Sequence, residues 1–242
     1  MKQYKNYIFD LYGTLADIRT DECDPLLWLR FRLWMAEHGA LYESPDALRT
    51  AYLSACAEKQ AADPDPLYEL ELRDVFRELF AQKGAAGDAL IAATAVFFRI
   101  QSTKKLRLYP WVRPAFKQLR AAGKKIFLLS NAQACFTEPE LKALGLSDAF
   151  DGIVLSSDAH IKKPSPKIME ELLKTYGLSV PDCLMTGNDL TSDIAVAKAF
   201  GMDSLYLQTE TSGPYDPAKA GPYRLLDGDW TKLPALLGVS VL

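Results

Sequence analysis

The chain has 242 residues, of which 49% are hydrophobic and 24% charged, a balance typical of globular proteins that argues against intrinsic disorder. Lys and Arg number 28 against 31 Asp and Glu, a net charge of -3, so no broad basic field is available for a nucleic-acid backbone. No apolar stretch approaches the roughly 20 residues of a membrane helix, and the N-terminus runs straight into a strand pattern with no signal peptide. A cytoplasmic protein with neither nucleic-acid nor membrane partners is expected.

In chain order, the first element is an apolar run from Tyr7 to Leu11, continuous enough for a strand covered on both faces. From about Ile18 to Leu106 the pattern is helical, with almost no strand signal. Asp24-Pro25 opens an aromatic-rich helix carrying Trp28, Phe31 and Trp34, and Ser44-Pro45 opens a second with Leu48, Tyr52 and Cys56. Leu72, Val75, Phe76, Leu79 and Phe80 line one face of a third helix, which Gly84 terminates; Ala92, Val96 and Phe97 mark a fourth. The aromatic stripes read as bundle core rather than a cofactor box.

After this segment the strand signals return. A helix from Val112 to Ala122 ends before Gly123, strands follow at Lys125 to Leu129 and Gly152 to Leu155, and Ser165-Pro166 caps and starts a helix reaching about Tyr176. Two more strands cover Cys183 to Thr186 and Ser204 to Leu207. Alternating strand and helix predicts an α/β fold, a doubly wound parallel sheet. The expected division is a Rossmann-like core of residues 1–17 and 107–242 with an inserted helical cap of residues 18–106. The scattered Cys23, Cys56, Cys135 and Cys183, with only His38 and His160 to join them, predict neither a zinc site nor a disulfide framework.

In an open parallel sheet, ligands bind beyond the carboxyl ends of the strands. The first predicted strand ends Asp10-Leu11-Tyr12-Gly13-Thr14, the second Ser130-Asn131, and the fourth Gly187-Asn188-Asp189, while Lys163-Pro164 follows the third. Each has a bland reading: a turn at Asp10 and Gly13, a helix cap at Ser130, a solvated loop lysine, and acidic residues at a helix start. Their joint occurrence, in order, at strand ends, points to one shared site.

Asp10-Leu11-Tyr12-Gly13-Thr14-Leu15, Leu129-Ser130-Asn131, Lys163-Pro164-Ser165-Pro166 and Gly187-Asn188-Asp189 through Asp193 resemble the four ordered motifs of the haloacid dehalogenase-like superfamily. The resemblance spans Tyr7 to about Leu207, and the helical insert is similar to that family's small cap. It implies a hydrolase with Asp10 as nucleophile through an aspartyl intermediate. Thr14 would fix the loop and the nucleophile, and Ser130, Asn131 and Lys163 would hold the transferring group. Mg2+ would sit on Asp10, the Tyr12 backbone carbonyl and the fourth motif, where Asp189 and Asp193 share a helix face if a helix begins there and Asn188 is a further candidate. The implied substrate is a small anionic molecule, a phosphate ester.

Two positions depart from the family pattern. Asn188 stands where many relatives carry aspartate directly after the glycine. Tyr12 stands where the superfamily's phosphatases carry the aspartate that protonates the leaving alcohol, and a phenol with ordinary pKa of about 10 is a poor neutral-pH base. The 2-haloacid dehalogenases are similar at Tyr12, but Met169 and Leu190 stand where their tyrosine and asparagine are expected. A magnesium-dependent phosphatase is therefore the first expectation; a dehalogenase-like hydrolase and a catalytically weakened binding protein stay open. Substrate choice is assigned to the cap, with none of Arg19, Arg30, Arg32 and Arg49 singled out.

Overall fold

The computed structural model describes residues 2–84 and 86–238; the outer ends of the predicted core, Met1 and residues 239–242, lie outside the described residues. Short runs of branched and aromatic residues form the central strands because both of their faces are covered. β1 (Asn6–Phe9) is buried from Tyr7 onward. After it, β2 (Ala16–Thr20) leads into the helical insert: α1 (Pro25–Glu37), α2 (Pro45–Ala61), α3 (Leu72–Ala81) and α4 (Asp88–Ser102). β3 (Thr103–Leu108) returns antiparallel to β2, with Ala16 opposite Leu108 and Ile18 opposite Leu106.

The chain then alternates through α5 (Val112–Ala121), β4 (Lys125–Ser130), α6 (Ala134–Ala143), β5 (Gly152–Leu155), α7 (Ser156–Ala159), α8 (Pro166–Tyr176), β6 (Cys183–Gly187), α9 (Asp193–Ala199) and β7 (Asp203–Leu207). β8 (Tyr223–Leu225) and α10 (Leu233–Leu236) close the described chain. Among the described residues six strands form one sheet in the order β5-β4-β1-β6-β7-β8. Every pairing in it is parallel. This is the expected Rossmann-like α/β architecture.

The register decides what the sheet can do. Phe9 lies opposite Leu128 on one side and Thr186 on the other, so Asp10, Ser130 and Asn188 emerge close together at one edge. From β1 the strand order runs outward one way through β4 and β5 and the other way through β6, β7 and β8, and the crevice at such a switch point is where open α/β sheets bind ligands.

Helix starts follow local chemistry. Asp24 accepts from the Leu26 amide at 2.8 Å before Pro25, and the Ser44 hydroxyl accepts from Ala47 at 3.0 Å before Pro45. Ser165 occupies the cap position of α8 as expected, yet its side chain makes no capping hydrogen bond. Three expectations need correction. The edges of the insert, read as almost free of strand, form the β2–β3 ribbon: a two-stranded antiparallel pair has too few buried residues to leave a clear alternation. β8, three residues long, falls below any periodic signal. α4 buries Ile91, Thr94, Ala95 and Phe98, one residue away from the stripe expected through Ala92 and Phe97; Ala92 is exposed.

The insert has its own aromatic core. Phe98 is fully buried among Trp28, Phe31, Tyr52 and Phe76, with ring centroids 5.2–5.7 Å away. This core continues into α6, where Phe136 stacks on Phe98 at 6.4 Å. No helix among the described residues is long and apolar enough to cross a membrane.

Candidate active site

Asp10 follows β1 directly and is 6% exposed. Its Oδ1 accepts from Ser130 Oγ at 2.9 Å and from Lys163 Nζ at 2.7 Å. Lys163 is buried and donates at 2.7 Å to each of Asp10 Oδ1, Asp193 Oδ1 and the Leu129 carbonyl, which uses all three ammonium protons. A buried ammonium is costly unless paired. Burial alone would pull the Lys163 pKa down, but the charges of Asp10 and Asp193 and their hydrogen bonds outweigh it and hold it above the usual lysine range. Asp193 is likewise pushed up, out of the usual carboxylate range, by burial first; Lys163 opposes the shift and neighbouring Asp10 adds to it.

The expected site residues that the structure brings together are Asp10, Ser130, Asn131, Lys163, Asn188, Asp189 and Asp193, all on the wall of one cavity of about 650 Å3. Asn131 holds Lys163 in place: its Nδ2 donates to the Lys163 carbonyl at 3.0 Å and its Oδ1 accepts from the Lys163 amide at 2.7 Å. Both polar ends of the side chain expected on substrate therefore face the lysine loop. The Lys163-Pro164 peptide bond is cis.

Glycine is required at two points of the site. Gly13 has φ of 82°, and a Cβ there would collide with the Asn188 carboxamide and the Thr211 hydroxyl. A Cβ on Gly187 would run into the Asp193 side chain. The glycines thus allow the first and fourth segments to approach each other and let Asp193 reach Lys163.

The helix face expected for Asp189 and Asp193 does not form. α9 begins only at Asp193, and Asp189 sits in the preceding turn, with its carbonyl accepting from the Asp193 amide at 3.0 Å. Asp193 spends both oxygens inside the protein, Oδ1 on Lys163 and Oδ2 on the Asp189 amide at 3.0 Å. Asp189 Oδ1 accepts from the Thr191 amide at 2.6 Å and the Thr191 hydroxyl at 2.7 Å. Burial raises the Asp189 pKa, but these bonds prevail and hold it below the usual range. Among the described residues no three His, Cys, Asp or Glu side chains converge as a metal cluster.

Asn188 takes the inner place instead. It is 6% exposed, and its Oδ1 lies 3.2 Å from Thr14 Oγ1, which is also 3.3 Å from Asp10 Oδ2. One hydroxyl has one proton and serves only one of these oxygens at a time. The oxygen left without that proton stays free to accept, and a carboxylate oxygen with a carboxamide oxygen is a donor set that fits a hard cation.

Tyr12 lines the cavity, but its hydroxyl turns to α6, where it donates to Glu140 and lies 3.0 Å from Thr137 Oγ1. Glu140 is buried and accepts from Arg99 Nε of α4 at 2.6 Å; the guanidinium lies 5.5 Å from the Tyr12 ring centre. Burial, then the Glu140 charge, pushes the phenol pKa well above its ordinary value. A phenol so held is not a base at neutral pH. Arg99, Thr137 and Glu140 are not singled out by the sequence: they lie on amphipathic helices of different segments, and only packing of the insert on α6 joins them.

Similarity to known proteins agrees with this geometry. A family model for haloacid dehalogenase-like hydrolases matches residues 4–201. A phosphoglycolate phosphatase of Yersinia pestis is 32% identical over 204 residues, covering 83% of this chain and 79% of its own. A crystal structure of a haloacid dehalogenase-like phosphatase from Thermococcus onnurineus superposes with TM-score 0.64 at 21% identity, covering 98% of this chain and 100% of its own. The 2-haloacid dehalogenase of Pseudomonas syringae pv. tomato gives 0.67 at 19% identity, covering 98% and 99%. These two structures share the fold with this chain. With a family match over most of its length, the chain belongs to the haloacid dehalogenase-like hydrolases.

Proposed function

We propose that the protein is a magnesium-dependent phosphatase acting on small phosphate monoesters through an aspartyl-phosphate on Asp10. The observation that carries this reading is the single buried cluster in which Ser130 and Lys163 both donate to the Asp10 carboxylate. The reaction class of the Yersinia relative supports it as well. An Asp10 oxygen attacks phosphorus, the bond from phosphorus to the leaving oxygen breaks, and that oxygen keeps the electron pair. Ser130 and Lys163 stabilise negative charge on the transferring group. Water then attacks the aspartyl-phosphate, releases inorganic phosphate and restores the carboxylate.

Asp10, the Tyr12 backbone carbonyl and Asn188 would hold Mg2+, with Asp189 the carboxylate next to them. The cation, when bound, supplies positive charge beside the phosphoryl oxygens and the nucleophile. Asp193 serves this arrangement indirectly, by fixing Lys163. The helical segment 18–106 acts as the cap that covers the core.

Tyr12 gives specific support to a second reading, a 2-haloacid dehalogenase-like reaction, because a halide leaves without a proton. One screen separates the two: phosphate esters and 2-haloacids, each with and without Mg2+. Expected is phosphate release that needs Mg2+, together with a trifluoroberyllate adduct on Asp10. Metal-independent halide release with no phosphate release would replace the phosphatase reading by the dehalogenase one.

A further inference from the structure

The residues that line the cavity at Asp10 all belong to the core. On the insert side Arg99 of α4 meets Glu140 of α6, Tyr12 is clamped against that pair, and Phe136 stacks on Phe98. No described residue of the insert lines the cavity; its far wall is Tyr206 of β7 and the segment from Thr211 to Lys219. The sequence-based expectation that the cap sets substrate choice is therefore at odds with the walls of this cavity.

That far wall is tied to the reacting end. Thr209 Oγ1 donates to the Gly13 carbonyl at 2.8 Å, and Asn188 Nδ2 donates to Thr211 Oγ1 at 3.1 Å. Beyond these anchors the wall has an aromatic face, Tyr215 stacked on Tyr206 with centroids 5.8 Å apart and planes at 29°. The Tyr206 side chain is fully buried and its hydroxyl makes no hydrogen bond. Tyr206 therefore lies behind Tyr215, and Tyr215, only partly buried, is the ring that a ligand in the cavity can reach. Lys219 is the second ammonium on the wall. Its contact with Asp216 is loose, 3.8 Å, and its side chain is 55% exposed. Asp216 also accepts from the Ala218 amide at 3.0 Å, so part of its charge is already engaged.

We infer that Tyr215, backed by the buried Tyr206, and Lys219 form the leaving-group subsite, which selects phosphate esters whose leaving group is aromatic and carries an anionic substituent. This rests on the phosphatase reading and deepens it. The volume, about 650 Å3, falls in the range of pockets that hold drug-sized ligands and greatly exceeds the needs of a phosphoryl group alone. The aromatic face suits a planar ring, and Lys219 supplies a charge-assisted hydrogen bond at its edge. The same choice answers the chemistry at Asp10. With Tyr12 committed to Glu140, no carboxylic acid stands in the family position to protonate a leaving alkoxide, whereas an aryl oxide departs as a stable anion.

The test is a matched pair, phenyl phosphate and 4-carboxyphenyl phosphate, measured by turnover with the full-length protein and by calorimetric binding to Asp10→Asn. The carboxylated ester is expected to show a KM lower by about fivefold or more, and a similar preference in binding to Asp10→Asn. Lys219→Met should bring that preference to within about twofold, and Lys219→Arg should keep most of it. No preference in either measurement, or a preference that survives Lys219→Met, overturns the subsite. Preferential binding of the carboxylated ester to Asp10→Asn with no turnover of either ester by the native protein upholds the subsite and overturns the proposed reaction.

Discussion

The strand ends of the sheet and the interior of the helical insert are both buried, yet they are filled by opposite chemistry. At the strand ends three ionisable groups are packed together, with Lys163 donating at 2.7 Å to both Asp10 and Asp193. Inside the insert the neighbours of Phe98 are Trp28, Phe31, Tyr52 and Phe76, with almost no polar side chain among them. Charges are held out of water only where geometry satisfies nearly every proton and lone pair, so the sheet edge is built for chemistry. The insert gains stability from apolar area and ring packing. Rate and stability should therefore separate between the two regions when each is cut.

The largest effect is expected at the nucleophile. Asp10→Asn removes the attacking carboxylate while keeping its shape, so turnover should fall by about 10⁴ or more. The circular-dichroism spectrum should stay native. A folded Asp10→Asn protein with native turnover would break the assignment of chemistry to the strand ends.

In the insert the opposite separation should hold. Phe98→Ala leaves a cavity among aromatic neighbours and should cost about 3–5 kcal/mol of stability in urea denaturation. Below the transition the phosphate-ester rate should change far less than in Asp10→Asn. A rate loss as large as that of Asp10→Asn in the folded variant would mean that the insert carries reacting groups.

Tyr12 lies at the seam between the regions, clamped by Glu140 of α6 and covered by Arg99 of α4. Tyr12→Asp restores the carboxylate found in the superfamily's phosphatases and should raise turnover of alkyl phosphates about tenfold, with a smaller gain for aryl phosphates. Equal gains for both ester classes would show that leaving-group protonation does not limit the native protein.

The smallest effect concerns a carboxylate away from the site. Asp151 Oδ2 accepts from the Ile126 amide at 2.8 Å and pairs with Arg120. Burial raises its pKa, but the Ile126 and Arg120 bonds prevail and hold it below the usual range. A depressed folded-state value gives stability that is present above the ordinary carboxylate pKa of about 3.9 and disappears as pH falls through the lower, folded value. Asp151→Asn should therefore lose about 1 kcal/mol at pH 7 and match the native protein near pH 2. A deficit of the same size at both pH values would make Asp151 a packing residue and not an ionic one.

Much of this was legible in the residues alone. Strands with both faces covered are continuous apolar runs, and proline after Asp24, Ser44 and Ser165 marks helix starts, because these signals are local and repeat within a few positions. The order of polar residues after the strands located Asp10, Ser130, Lys163 and the fourth motif, since a parallel sheet delivers its strand ends to one edge. What tertiary structure alone decided depends on contacts between segments far apart in the chain. The start of α9 at Asp193 removes Asp189 from the expected helix face, and the partners of Asp193 turn it toward Lys163. The engagement of Tyr12 by Glu140 and Arg99 unites residues up to 128 positions apart. The far wall of the cavity comes from the segment after β7, whose turn-rich sequence carries no periodicity, so that only its anchoring on Gly13 and Asn188 brings it to the site.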